Sequence, residues 1–241
     1  MLKNIPPITR GLIIINFVVF ILSTYVLPPN ISNYLGAYFP LSPNFRSWQI
    51  ITHMFMHGGW MHIIFNMVAL WSFGPPLERI LDEKKFVILY FISGIGAFIL
   101  FNAWNYYQYY ELINMLKAQG VDLHEILQYS KLDDNGFFLQ LNGTAGELQS
   151  FLLTPMVGAS GALFGVIAAF TVIYPDAELI FLFIPFPIKA KILFPIIIVG
   201  SLFLGIRQSD GDNIAHFAHL GGALVGFILI KIWTYNRFRI N

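Results

Sequence analysis

The chain has 241 residues, of which 56% are hydrophobic and only 11% charged, where a soluble domain carries about 25% charged residues. With a mean hydropathy of +0.66, most of the chain belongs in lipid. A net charge of +1 gives no electrostatic case for nucleic acid, and the lack of cysteine excludes disulfides and thiolate metal sites.

A helix needs about 20 apolar residues to cross the hydrocarbon core. Six stretches meet that requirement in chain order: 11–28, 59–75, 86–104, 156–174, 192–208 and 213–233. The start, Met1 to Arg10, is polar and carries Lys3 and Arg10, with no small-residue cleavage site after the run that follows. The first stretch therefore reads as a retained span rather than a removed leader. Residues 30–58, rich in proline, aromatics and histidine, read as an interfacial loop. Residues 105–154 are more polar, with Glu111, Asp122, Glu125, Asp133, Asp134 and Glu147 against Lys117 and Lys131. Helical spacing in Tyr110–Leu116 and in Leu123–Leu127, with Asp122 as an N-cap, predicts one or two short extramembrane helices there. Asn142-Gly143-Thr144 is a glycosylation sequon only in a glycosylating compartment. Pro185, Pro187 and Pro195 crowd the approach to the fifth span, and Leu179–Ile188 reads as a re-entrant or surface hairpin before it.

Short cytoplasmic loops are enriched in Lys and Arg. With the N-terminus inside, the inner side holds Lys3, Arg10, Arg79, Lys84, Lys85, Lys189, Lys191, Lys231, Arg237 and Arg239. The outer side holds Arg46, Lys117, Lys131 and Arg207, a ratio of ten to four. Both termini are thus expected inside, and the lack of cysteine and targeting patterns favours a bacterial cytoplasmic membrane.

Spans four and six then run the same way, with Ser160 about five residues past Pro155 and His219 about six past Asn213. At 1.5 Å per residue both lie roughly 8–10 Å below the outer surface. Gly161 and Gly165 on one span, and Gly222 and Gly226 on the other, are each four apart, a spacing that lets helix backbones approach closely in lipid. Such a pair brings Ser160 and His219 within hydrogen-bond reach, as a serine nucleophile requires. On span two, His62 and Asn66 are four apart and share one helix face. With the Ser160 backbone N–H they are candidate donors to a developing oxyanion.

Taken singly, each residue has a plainer reading. A transmembrane serine commonly bonds back to its own helix. Asn66 alone is an interhelical hydrogen bond, and His216 a lining of a polar cavity. His53 and His57 precede the span and read as interfacial or structural. A His53/His57/His62 metal site lacks a carboxylate. No acid completes a triad: Asp176 is on the inner side, and Asp212 is seven residues from His219, or about 10 Å along a helix. The case for a Ser–His dyad rests on the joint placement.

Three patterns together resemble the rhomboid family of intramembrane serine proteases. They are His-Gly-x-x-x-His-x-x-x-Asn at His57 to Asn66, Gly-x-Ser-Gly at Gly158 to Gly161, and Ala-His-x-x-Gly-x-x-x-Gly at Ala218 to Gly226. Glu78-Arg79 also looks like the family's Glu-Arg pair in the first inner loop. The resemblance implies an all-α, six-transmembrane-helix bundle, a single domain over 1–241 with an extramembrane insertion at 105–154 between spans three and four. It implies Ser160 as nucleophile, His219 as general base, and His62, Asn66 and the Ser160 N–H as oxyanion hole. It further implies no cofactor and no metal, with transmembrane-helix proteins as substrates, cut near the outer end of the helix. Beyond substrates and membrane lipid no partner is implied, and the oligomeric state stays open. One departure stands out: the family often shows Trp-Arg in the first outer loop, whereas Trp48 is followed by Gln49, with Arg46 two positions before it. The competing readings are a non-catalytic relative that binds transmembrane helices as a chaperone or retrotranslocation factor, and a small transporter. The first usually lacks Ser or His; the second usually shows repeated halves and charged midplane residues, and neither is found here.

Overall fold

The computed structural model describes residues 4–28, 30–133, 136–180, 186–207 and 215–237, with residues 235–237 described by backbone alone. Ten helices and one small hairpin follow in order: α1 (Pro7–Ile21, continued by a π-helical turn to Val26), α2 (Ile31–Leu35), α3 (Gln49–Thr52), a 3₁₀ turn at His53–Phe55, α4 (Trp60–Leu81), α5 (Glu83–Ala118), α6 (Leu123–Tyr129), α7 (Gly143–Leu153), α8 (Ser160–Ile173), β1 (Glu178–Leu179), β2 (Ile188–Lys189), α9 (Ala190–Arg207) and α10 (His216–Arg237).

Four of these are long and apolar enough to cross a membrane: Pro7–Val26, Glu83–Ala118, Ala190–Arg207 and His216–Thr234. Among the remaining helices, α4 has 22 residues and α8 is apolar but only 14 residues long. The chain is an integral membrane protein.

The centre is a trio of helices, α5, α8 and α10, each packed on the other two. Glycine makes that packing possible. A Cβ added at Gly222 would land on the Gly161 carbonyl oxygen, and one at Gly226 on the Gly165 carbonyl oxygen. The two four-residue glycine spacings thus sit in register against each other, backbone to backbone, as their sequence pattern predicts. Outside the trio, α4 lies between α1 and α8, and α9 leans on α10 and α8.

Several predicted boundaries move. The third stretch does not end near 104, because α5 runs unbroken for 36 residues, about 54 Å. Tyr110–Leu116 is its last part rather than a separate helix, since no breaker interrupts the run. Asp82 alone links α4 to α5. It takes φ +70° and caps α5 by accepting from the Lys85 N–H at 3.0 Å. Leu123–Tyr129 does form a helix, and Asp122 caps it by accepting from the His124 N–H at 2.8 Å. The fourth stretch starts as helix only at Ser160. Gly158 has φ +122°, and Met156 is paired through both its N–H and its carbonyl with Ala37. Glu178–Leu179 and Ile188–Lys189 form the two-stranded hairpin expected near 179–188; residues 181–185 lie outside the described residues. Asp176 is flanked there by Lys191 at 2.8 Å and Lys189 at 3.4 Å, which hold its carboxyl below the usual carboxylate range. Lys3, Asp134, Asp210, Asp212, Asn213 and Arg239 also lie outside the described residues.

The Glu78-Arg79 pair has a clear local task. Glu78 is buried and accepts from the Ile8 N–H (2.8 Å), the Thr9 N–H (2.7 Å) and the Thr9 hydroxyl (2.6 Å). It therefore caps α1 from α4, supplying an acceptor that the first turn of a helix lacks. Arg79 donates to the Asn4 carbonyl at 2.8 Å. Glu78→Ala leaves three donors stranded and is expected to cost about 3 kcal/mol, read as a lowered Tm in detergent. An unchanged Tm would show that water replaces the carboxylate.

Gln49 answers for the missing arginine. It is buried, its Oε1 accepts from the Arg46 N–H at 3.0 Å, and its Nε2 lies within 3.3–3.4 Å of the carbonyls of Asn33, Tyr34 and Asn44. Trp48 donates through Nε1 to the Tyr34 carbonyl at 2.9 Å. A neutral amide thus gathers the 33–46 loop, and Arg46 turns outward to the carbonyls of Pro43 and Phe45.

Candidate active site

Ser160 opens α8 and His219 lies in the first turn of α10. The Ser160 hydroxyl is 3.0 Å from His219 Nε2, in place to donate to it. The helices hold this distance because their backbones meet directly below it, Gly222 on Gly161. A residue the sequence reading passed over fixes the ring: Phe164 stacks flat on His219, centroids 4.1 Å apart and planes 5° apart. Its signal was present, since Phe164 is four residues after Ser160 and shares its helix face.

The segment entering α8 is shaped from outside. The Gly158 N–H donates to the His53 carbonyl at 2.9 Å, and Ala37 pairs with Met156 on the preceding turn. His53 in turn is buried, with its Nδ1 2.8 Å from the Gln49 carbonyl, which can only accept. The structural reading of His53 agrees with this geometry. Gly158 is needed twice over. Its φ of +122° disfavours any side chain, and a Cβ there would stand 2.7 Å from His62 Nε2 and 3.7 Å from Ser160 Oγ. The glycine therefore leaves a small space bordered by both groups.

His62 is oriented toward that space. Its Nδ1 accepts from the Gly58 N–H at 3.3 Å, so in the neutral ring the proton sits on Nε2, the nitrogen facing Gly158. Asn66, one turn further along α4, is buried, and its Nδ2 has no acceptor among the described residues. The Ser160 N–H, at the first position of α8, has no intrahelical partner either. His62 Nε2 therefore borders the same space beside Gly158 that Ser160 Oγ borders, and Asn66 follows one turn along α4.

His57 is buried with its ring edge-on to His62, centroids 5.1 Å apart. His216 is buried edge-on to His219 at 6.3 Å, with its Cβ near Gly205 of α9. Among the described residues no trio of His, Asp or Glu is arranged to hold a metal ion. Asp176 is engaged by Lys189 of β2 and Lys191 of α9.

The Rhomboid domain model matches residues 44–236, most of the chain, a range within which the four candidate residues lie. The chain is similar to the rhomboid protease AarA of Providencia stuartii, 31% identical over 76% of this chain and 54% of that protein. It is also similar to the mitochondrial rhomboid protein 1 of Saccharomyces cerevisiae, 28% identical over 75% of this chain and 40% of that one. The rhomboid protease GluP of Bacillus subtilis is 25% identical over 75% of this chain and 25% of its own length. The chain spans between a quarter and about half of these relatives. With the family model covering residues 44–236, the chain belongs to the rhomboid family.

Proposed function

We propose that the protein is an intramembrane serine endopeptidase acting on transmembrane-helix substrates through a Ser160–His219 dyad. The observation that carries this reading is the 3.0 Å separation of Ser160 Oγ and His219 Nε2 at the head of two helices in backbone contact. Ser160 Oγ attacks the scissile carbonyl carbon while His219 Nε2 takes its proton. The carbonyl oxygen gains negative charge and is met by His62 Nε2–H, Asn66 Nδ2–H and the Ser160 N–H. Collapse of this intermediate breaks the C–N bond as His219 returns the proton to the leaving amine. Water then attacks the acyl-serine as His219 takes its proton, the acyl C–Oγ bond breaks to release the carboxylic acid, and His219 returns the proton to Ser160 Oγ.

Six spans with both termini inside suit this chemistry, in a bacterial cytoplasmic membrane with the site open to the outer side. At 14 residues α8 is about 21 Å long, against about 30 Å of hydrocarbon. If α8 reaches the inner boundary, its first residue lies about 9 Å below the outer one. A helical peptide bond is shielded, so a substrate must unwind near its outer end to meet Ser160 there.

The test is labelling of the purified, detergent-solubilised protein by a fluorophosphonate, beside Ser160→Ala and His219→Ala. Labelling of wild type that is lost in both variants is the expected result. A well-folded wild type that takes no label would favour the helix-binding, non-catalytic reading. His62→Ala and Asn66→Ala are each expected to lower turnover about 100–1000-fold, the loss typical of one oxyanion donor, with substrate binding largely kept. Weakened binding at unchanged turnover would remove them from that role.

A further inference from the structure

The segment between α6 and α7 presents three consecutive apolar side chains outward: Phe137 (73% exposed), Phe138 (47%) and Leu139 (61%). Such a run on a surface is a fault unless something covers it. Here it is built rather than left loose. On one side, the Phe137 N–H donates to Asp133 Oδ1 at 2.7 Å and the Asp133 N–H to the Phe137 carbonyl at 3.1 Å. On the other, the buried Gln149 donates to the Leu139 carbonyl at 2.7 Å and accepts from the Leu141 N–H at 2.8 Å. Gln149 also donates to the Tyr129 carbonyl at 2.9 Å. Two clamps therefore hold the tripeptide with its side chains out, over a core of its own in which Ile113, Leu116, Ile126, Leu148 and Leu152 meet Phe39.

The position of the tripeptide along the molecule names its cover. Gly136, the residue before it, abuts Asn33 Nδ2, and Asn44 of the same early loop donates to the Ser130 carbonyl and accepts from the Leu132 N–H. That loop follows α1, whose last residues are exposed and apolar (Tyr25, 63%), and it carries Trp48 and Tyr34, each half exposed. Tryptophan and tyrosine gather where hydrocarbon meets headgroups. The tripeptide thus lies beside the loop that leaves α1 and carries those aromatics.

We propose that Phe137-Phe138-Leu139 is an interfacial anchor: the cap formed by α6 and α7 dips it into the leaflet beside it, and the occupant is lipid. The proposal rests on the six-span reading only in placing the cap itself outside the bilayer.

Because the chain has no cysteine, one introduced thiol takes a label uniquely. Phe138→Cys, Glu125→Cys on exposed α6 and Ile99→Cys on the exposed flank of α5 are each labelled with an environment-sensitive fluorophore in phosphatidylcholine–phosphatidylglycerol vesicles. Each is then quenched by brominated acyl chains or by aqueous iodide. The expected result is bromolipid quenching at 138 severalfold above that at 125, with iodide quenching reversed, so that 138 ranks with 99. Iodide quenching at 138 equal to that at 125 would overturn the anchor. So would shielding of 138 from both quenchers, which would point to a second copy or another protein on the patch. Strong bromolipid quenching at 125 as well would put the whole cap in lipid. It would sink the six-span reading separately.

Discussion

Ser160→Ala is expected to abolish peptide-bond cleavage, with a loss on the order of a millionfold, while the protein stays folded. The variant removes the attacking oxygen and leaves His219 stacked on Phe164. Its structural cost is one hydrogen bond at the start of a helix, about 1 kcal/mol, partly offset by the better helix propensity of alanine. Tm should therefore move little while turnover and fluorophosphonate labelling vanish. Combining it with His219→Ala should cost no more than the single change, because the two side chains act as one unit. Cleavage at the wild-type rate by the alanine variant would end the dyad reading.

Gly222→Ala should have the second largest effect, on fold and activity together. The added methyl points at the backbone carbonyl of Gly161, and a backbone has no rotamer through which to move aside. Overpacking typically costs about 1–3 kcal/mol, and this site should lie at the upper end because Gly226 rests on Gly165 in the same register. The helices must part, and the dyad parts with them. A misplacement of about 1 Å can cost about 100-fold in rate. Tm and labelling should fall together. Gly200→Ala on α9 is the matched control: a Cβ there meets nothing within 4 Å. It should be neutral or stabilising by up to about 1 kcal/mol. A Gly222→Ala protein with unaltered Tm and labelling would refute the claim that this contact sets the geometry.

What could be read in advance followed from local pattern. The apolar stretches, the paired glycines and the four-residue spacing of His62 and Asn66 are features of single helices, and the structure sets the glycine-bearing faces of α8 and α10 together. Features that depend on two distant segments were not legible. Glu78 as a cap for α1 requires knowing that the α4 terminus meets Ile8 and Thr9. Gln49 at the centre of the 33–46 loop reads in sequence only as a departure from a pattern. The extent of α5 was missed for another reason. Trp104 to Tyr110 is an aromatic run of the kind that marks a membrane interface, but a boundary in lipid need not end a helix, and no glycine or proline follows that run until Gly120.

The bonds from Ala37 and His53 to the 156–158 segment bear on what a minimal catalytic piece would have to contain. A fragment beginning at Trp60 would carry Ser160, His219, His62 and Asn66. It would lack the carbonyl that receives the Gly158 amide, both bonds to Met156, and the Gly58 amide that sets the His62 tautomer. Every side chain of the proposed reaction would be present with its aim undone. Supplying residues 30–58 as a separate peptide should restore labelling to such a fragment, and a Gly158 amide protected from hydrogen exchange only when that peptide is added would trace the recovery to its source.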